Sequence, residues 1–188
     1  DVQTSFDVYV FSFSSVSLSL EGRVILNFYA NFPGMAEAGY TPGILFFREQ
    51  PNASEIIRAY SVGEGINTYA VNDDGTLMFS YDKLAAKELN DKVYATLYVE
   101  QSDGNVVFGE PAPISVADYA ISAFNRFADQ PLLQTLMVDM LNFGAAAQNE
   151  FDYRTDALAN SNMSAAMAAK ATKDNVSLSN GMKLYNDG

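Results

Sequence analysis

Histidine, cysteine and tryptophan are absent from this chain, and basic residues are scarce, 11 lysines and arginines against 23 aspartates and glutamates. Without imidazole or thiolate, a zinc site, a Ser-His-Asp triad and a cysteine nucleophile are excluded. Carboxylate, lysine or tyrosine chemistry remains, as do calcium on oxygen ligands and no catalysis at all. The formal charge of −12 repels phosphate backbones and anionic lipid heads, so nucleic acid is not expected as a partner. No apolar run approaches the ~20 residues that span a bilayer, and no membrane insertion is expected. Lack of cysteine suits a reduced cytosol or the exterior of a bacterium that does not use disulfides. The first residue, Asp1, is what a trimmed signal peptide or a cloned fragment would leave.

What is present reads as globular: 48% hydrophobic and 18% charged residues are too apolar for a disordered tail. The pattern changes period once, near Pro113. Before it, Val16, Leu18 and Leu20 alternate with serines, and Val24, Leu26 and Phe28 resume the alternation after Glu21-Gly22, a two-residue turn and so a β-hairpin. Phe11 and Phe13 have the opposite phase, which predicts a bulge or break at Ser14-Ser15. Further strands are expected at 44–48, 56–62, 66–71, 77–81, 93–99 and 106–108. Asp73-Asp74-Gly75 and Asp103-Gly104-Asn105 supply turns among them.

Beyond Pro113 the period is helical. Ser115 is placed to cap a helix running to about Ala128, with Asp118 as its capping-box partner. Pro131 opens a second helix, whose Leu133, Leu136, Met137, Met140, Leu141, Gly144, Ala147 and Phe151 repeat at three and four as one stripe to be buried against the sheet. Residues 163–171 form a short alanine-rich helix, and Ser179-Asn180-Gly181 turns a C-terminal hairpin.

The expected fold is therefore α+β. An antiparallel β-sandwich over residues 1–113, with the immunoglobulin-like arrangement as one form of it, precedes an α-helical hairpin over 114–160 packed on the sandwich. Residues 161–188 supply the alanine-rich helix and hairpin, the form that the start of a truncated second repeat would take. Four stretches, SLSLEGRVILNFYA (17–30), YDKLAAKELNDKVYATLYVEQSDGNV (81–106), SVADYAISAF (115–124) and LMVDMLNFGAAAQNEFDYRTDALAN (136–160), together resemble a recurrent β-sandwich-plus-helix module of secreted and cell-surface proteins from anaerobic Gram-positive bacteria. The resemblance implies a secreted or surface location beside other extracellular domains, and it carries no catalytic residues.

The candidate site residues are few. Tyr94 and Tyr98 share a strand face, and Tyr69 joins them from another strand as a platform for stacking on sugars. The competing reading, favoured by the missing tryptophan, is that the helix from Pro131 covers that face. Asp73, Asp74, Asp103 and Asn105 offer hard oxygen ligands to calcium, but they are also ordinary turn residues, so no metal or other cofactor is assigned. Gly63-Glu64-Gly65 only superficially resembles a phosphate loop and is expected to be a β-turn. The functional expectation is an extracellular, non-catalytic module that binds carbohydrate or protein, or spaces neighbouring domains. A carboxylate-dependent glycan hydrolase is the alternative.

Overall fold

The computed structural model describes residues 11–20, 22–34 and 39–172. Two antiparallel sheets of four strands each, with several helices, make the architecture α+β. One sheet has the order β1 (Ser12–Leu20), β2 (Val24–Asn31), β5 (Leu77–Tyr81), β4 (Ala70–Val71). The other sets β6 (Val93–Glu100) beside β3 (Thr41–Phe47), with β7 (Val106–Phe108) and β8 (Ala112–Ile114) both pairing β6.

The period-two alternation of β1 and β2 does what alternation should. Leu26, Phe28 and Ala30 are buried, and Val16 and Leu18 pair Phe28 and Leu26. The register shifts between Phe13 and Ser15, at the expected phase slip. Leu20 pairs Val24, so residues 21–23 make the connection rather than Glu21-Gly22 alone, and Gly22 takes the left-handed backbone at φ +75°. Glu21 itself lies outside the described residues, as does the expected C-terminal hairpin around Ser179-Asn180-Gly181. Between the sheets, the Phe46 ring of β3 lies 5.2 Å from Phe28 and 4.9 Å from Tyr81, tilted against both.

Residues 56–62, expected as a strand, are helical: α1 runs Ala53–Ser61. Its start is fixed by Asn52, whose side chain accepts from the amides of Ser54 and Glu55 while Glu55 accepts from the Asn52 amide at 2.8 Å. That reciprocal capping box satisfies backbone donors that a helix start leaves orphaned. Ile56 and Ala59 then bury themselves with Leu45 and Tyr98 on the outer face of the second sheet. Both faces of β6 are covered in consequence, and Ala95, Thr96, Leu97, Tyr98 and Val99 are all buried. Of the strand expected at 66–71, only Ala70–Val71 and a single bridge from Ile66 to Ile44 are present.

The described residues divide into two compact units: one reaches Leu84 and resumes over Asp91–Val116, and the other takes Ala85–Asn90 and the chain from Ala117 onward. The second unit holds α2 (Val116–Phe124), α3 (Pro131–Glu150) and the short α4 (Ala165–Ala168), with a single 3₁₀ turn at Ala86–Glu88. α2 begins after Ser115 as expected and stops at Phe124, short of Ala128. α3 begins at Pro131, but its buried side is Gln134, Met137, Val138, Met140, Leu141, Gly144, Ala145 and Gln148. Leu136 and Phe151 of the expected stripe are exposed, at 43% and 66%. The stripe is rotated because α3 takes the Ala85–Asn90 segment and the loop beyond its own end as neighbours: a Cβ on Gly144 would stand 2.9 Å from Leu89 and 3.1 Å from Ala159. Fully buried Gln148 holds that loop, its amide donating to the carbonyls of Ala157 and Arg154 and its oxygen accepting from the Ala159 amide at 2.7 Å. Among the described residues no helix is long and apolar enough to cross a membrane.

Two stability predictions follow from burial. Met140→Ala should cost about 2 to 5 kcal/mol in thermal or denaturant unfolding, whereas Leu136→Ala should stay within about 0.5 kcal/mol. Equal effects would place Leu136 in the core. Thr96 is wholly buried, and its hydroxyl has no hydrogen-bond partner among the described residues. Thr96→Val, of the same shape, should leave stability unchanged or raise it by up to about 1 kcal/mol; a loss larger than that would reveal a bond made by the hydroxyl.

Candidate functional site

The tyrosine platform is not assembled. Tyr98 is 4% exposed, with its ring edge-on to Tyr60 of α1 at 5.2 Å and tilted to Phe108 at 6.2 Å. Tyr94 is half-buried opposite Phe47 and Pro113. Tyr69 lies just before β4 of the other sheet, edge-on to Phe79 at 5.4 Å. The cover over Tyr98 is α1, a helix that the alternation reading had made a strand. Tyr60 was missed for the same reason, although Asn52 and Glu55, three apart before an apolar run, carry the capping-box signal that would have found it.

The aspartate turns bind their own backbone. Asp74 accepts from the Thr76 amide at 3.0 Å and its hydroxyl at 2.7 Å, and these bonds, the hydroxyl first, hold the carboxyl below its usual range. Asp73 is exposed beside it. Asp103 accepts from the Asn105 amide and side chain at 3.0 and 2.7 Å. In both turns the following glycine, Gly75 at φ +82° and Gly104 at φ +85°, takes the left-handed backbone. Among the described residues no three acidic side chains gather as a metal cluster.

A furrow opens instead where α1 ends. Gly63, at φ +79°, follows the C-cap, its amide donating to the Tyr60 carbonyl while the Glu64 amide donates to that of Ala59. Gly63-Glu64-Gly65 is thus a Schellman cap, not the expected β-turn. Ile66 then exchanges two backbone hydrogen bonds of 2.9 Å with Ile44. Gly65 is required by Tyr98, whose hydroxyl would lie 2.5 Å from a Cβ there.

Glu64 lines two cavities. The larger, about 440 Å³, is bounded by Phe46, residues 63–66, Ser80, Tyr81, Asp82 and Lys83. The smaller, about 160 Å³, is bounded by residues 47–51, Glu55, Arg58 and Glu64. Arg48 braces the walls: it donates to Asp91 at 3.2 Å, and to the Tyr81 hydroxyl and the Lys83 carbonyl at 3.4 Å. Asp82 is ion-paired with Arg23 at 2.8 Å. Glu55 is committed to the capping box. By contrast, the charged ends of Glu49, Arg58, Glu64 and Lys83 make no hydrogen bond or ion pair among the described residues. The arrangement offers acceptors and donors of both signs beside the rings of Phe46 and Tyr81, which suits holding a polar ligand.

Comparison with protein families, curated proteins and solved structures finds no match to this chain.

At the far edge of α1, Tyr60 donates to Glu100 at 2.9 Å. Burial and the Glu100 carboxylate raise the Tyr60 pKa, and burial, with a lesser push from Glu100, raises that of Tyr98. Raised folded-state values mean that this stabilisation is complete below pH about 10 and is lost as pH rises through the folded pKa values. In Glu100→Gln the tyrosinate absorbance titration should begin at lower pH than in the parent chain. An unchanged titration would remove Glu100 as the cause.

Proposed function

We propose that this chain is an extracellular, non-catalytic module of a secreted or cell-surface bacterial protein, binding carbohydrate or protein through the furrow beside Glu64. Its first unit is read as an immunoglobulin-like β-sandwich. The orders β1-β2-β5-β4 and β3-β6-β7 support this, since they match the A-B-E-D and C-F-G sheets of the constant-type arrangement, with α1 inserted after the third strand. Sandwiches of that kind present loops at their ends as binding surfaces, and the loop residues 63–66, Asp82 and Lys83 line the furrow beside the strand residues Phe46, Ser80 and Tyr81.

The observation that carries the non-catalytic reading is how the carboxylates around the furrow are used. Glycoside hydrolysis needs two carboxylates facing one bond across a cleft. In the larger cavity the acidic residues are Glu64 and Asp82, and Asp82 is engaged by Arg23. Glu49 and Glu64 share the smaller cavity, but its 160 Å³ is well under the roughly 300 Å³ at which ligand pockets begin. The rival reading, a carboxylate-dependent glycan hydrolase, rests on that second pair.

A hydrolysis panel run beside a glycan and surface-protein binding array on the intact chain separates the readings. The expected outcome is binding without turnover. Hydrolysis that Glu49→Gln or Glu64→Gln abolishes would overturn the proposal in favour of the hydrolase.

A further inference from the structure

Four charged ends along the furrow are uncommitted, two of each sign: Arg58 and Lys83, Glu49 and Glu64. The remaining charges there already have structural partners, Asp82 with Arg23, Arg48 with Asp91, and Glu55 with the Asn52 amide. A polyanion entering the furrow would meet two unpaired carboxylates, and a polycation two unpaired cations. A polyol meets no such conflict, because each hydroxyl can donate to a carboxylate and accept from an ammonium or guanidinium. The larger cavity, about 440 Å³, falls inside the roughly 300 to 1,000 Å³ range of small-ligand sites. Phe46 and Tyr81 line it; Tyr81 is buried, and the half-buried Phe46 offers apolar surface to the C–H face of a sugar. Glu64 lines both cavities, so a chain of linked rings that reaches from one to the other would meet its carboxylate on the way.

We propose that the furrow is a subsite for an uncharged oligosaccharide, with Glu64 as its central acceptor reading hydroxyls of two successive sugar units. This rests on the binding-module reading and narrows it to one site and one ligand class. Glu64 is held for the task by the Schellman cap: its backbone is fixed through the bond to Ala59, and Gly65 beside it is pinned under Tyr98. The carboxylate itself is free to accept. Arg58 and Lys83 would serve as donors at the two ends.

The test is amide shift mapping of the isotope-labelled full chain with cellotetraose, maltotetraose and mannotetraose, alongside tetragalacturonate and tetraglucosamine as charged counterparts. The expected result is saturable binding of at least one uncharged tetramer, with shifts centred on residues 63–66 and 80–83. The charged tetramers should bind at least about tenfold more weakly, and Glu64→Gln should weaken the uncharged one by about tenfold or more at an unchanged unfolding midpoint. Tighter binding of either charged tetramer would overturn the ligand class. Shifts confined to other surfaces would overturn the furrow as the site while leaving a glycan-binding module standing. No binding by any tetramer would overturn the proposal outright, and the broader reading would then depend on a protein ligand in the array.

Discussion

Tyr98 leaves β6 on the face turned away from the first sheet, and only backbone without a Cβ can lie beneath its ring. A Cβ on its cross-strand neighbour Gly43 would stand 2.2 Å from the ring, and one on Gly65 would stand 2.5 Å from the hydroxyl. Those separations are impossible for real atoms, so two glycines from distant parts of the chain are tied to one side chain. The rest of the first unit's outer layer follows from that. α1 must bring Tyr60 and Ile56 down onto the same ring cluster, its exit must turn at Gly63, and Gly65 must pass directly under the phenol before Ile66 can bridge to Ile44. Glu64 sits between the cap glycine Gly63, at φ +79°, and Gly65 under the phenol, and its backbone position is set by both. A core-packing requirement thereby fixes the position of an exposed carboxylate.

Many acidic side chains among the described residues are committed to structural duties. Glu55 and Glu88 return to amides at helix starts, Asp74 and Asp103 close turns, and Asp82 and Asp91 pair with arginines. The Arg48–Asp91 pair matters most, because Asp91 is 5% exposed and a carboxylate that deeply buried is costly without its counter-ion. Arg48 also holds the Tyr81 hydroxyl and the Lys83 carbonyl, so the pair that neutralises Asp91 also sets the wall of the furrow. Charges left over after these duties are the informative ones.

The strands were legible where apolar and polar residues alternate, as in β1 and β2, because alternation reports a ribbon with two unlike faces directly. α1 was not. Its Ile56, Ile57, Ala59 and Tyr60 contain both a three-to-four and an alternating pattern, and only the cap at Asn52 and Glu55 breaks the tie. Mistaking it for a strand also hid the cover over Tyr98, so one error in period displaced both the fold's outer layer and the candidate platform. In α3 the helix was plain but its rotation was not: Gln134 and Gln148 are buried because they bind the Phe124 carbonyl and the 154–159 loop, and a hydrophobicity pattern has no means of registering a buried polar clamp. The furrow was invisible to the sequence because its two cavities join residues from β3, α1 and β5 through Glu64, a residue with no motif around it.

Net charge and local charge act on different scales here, and they select differently. The −12 of the whole chain sets the field that an approaching molecule meets at the distance of roughly a Debye length, about 8 Å at physiological salt, and a field of that sign opposes the approach of polyanions. Inside the furrow that field is replaced by specific ends, of which the uncommitted ones balance. An uncharged ligand is indifferent to the first and can satisfy the second. A cationic one is drawn by the first but must still place its charge beside Arg58 or Lys83, so long-range attraction would speed its encounter without holding it. On the proposed reading, balanced, unpaired charges in a furrow of a strongly acidic chain would act as a filter in two stages, and a neutral, hydroxyl-rich chain is the chemistry that would pass both.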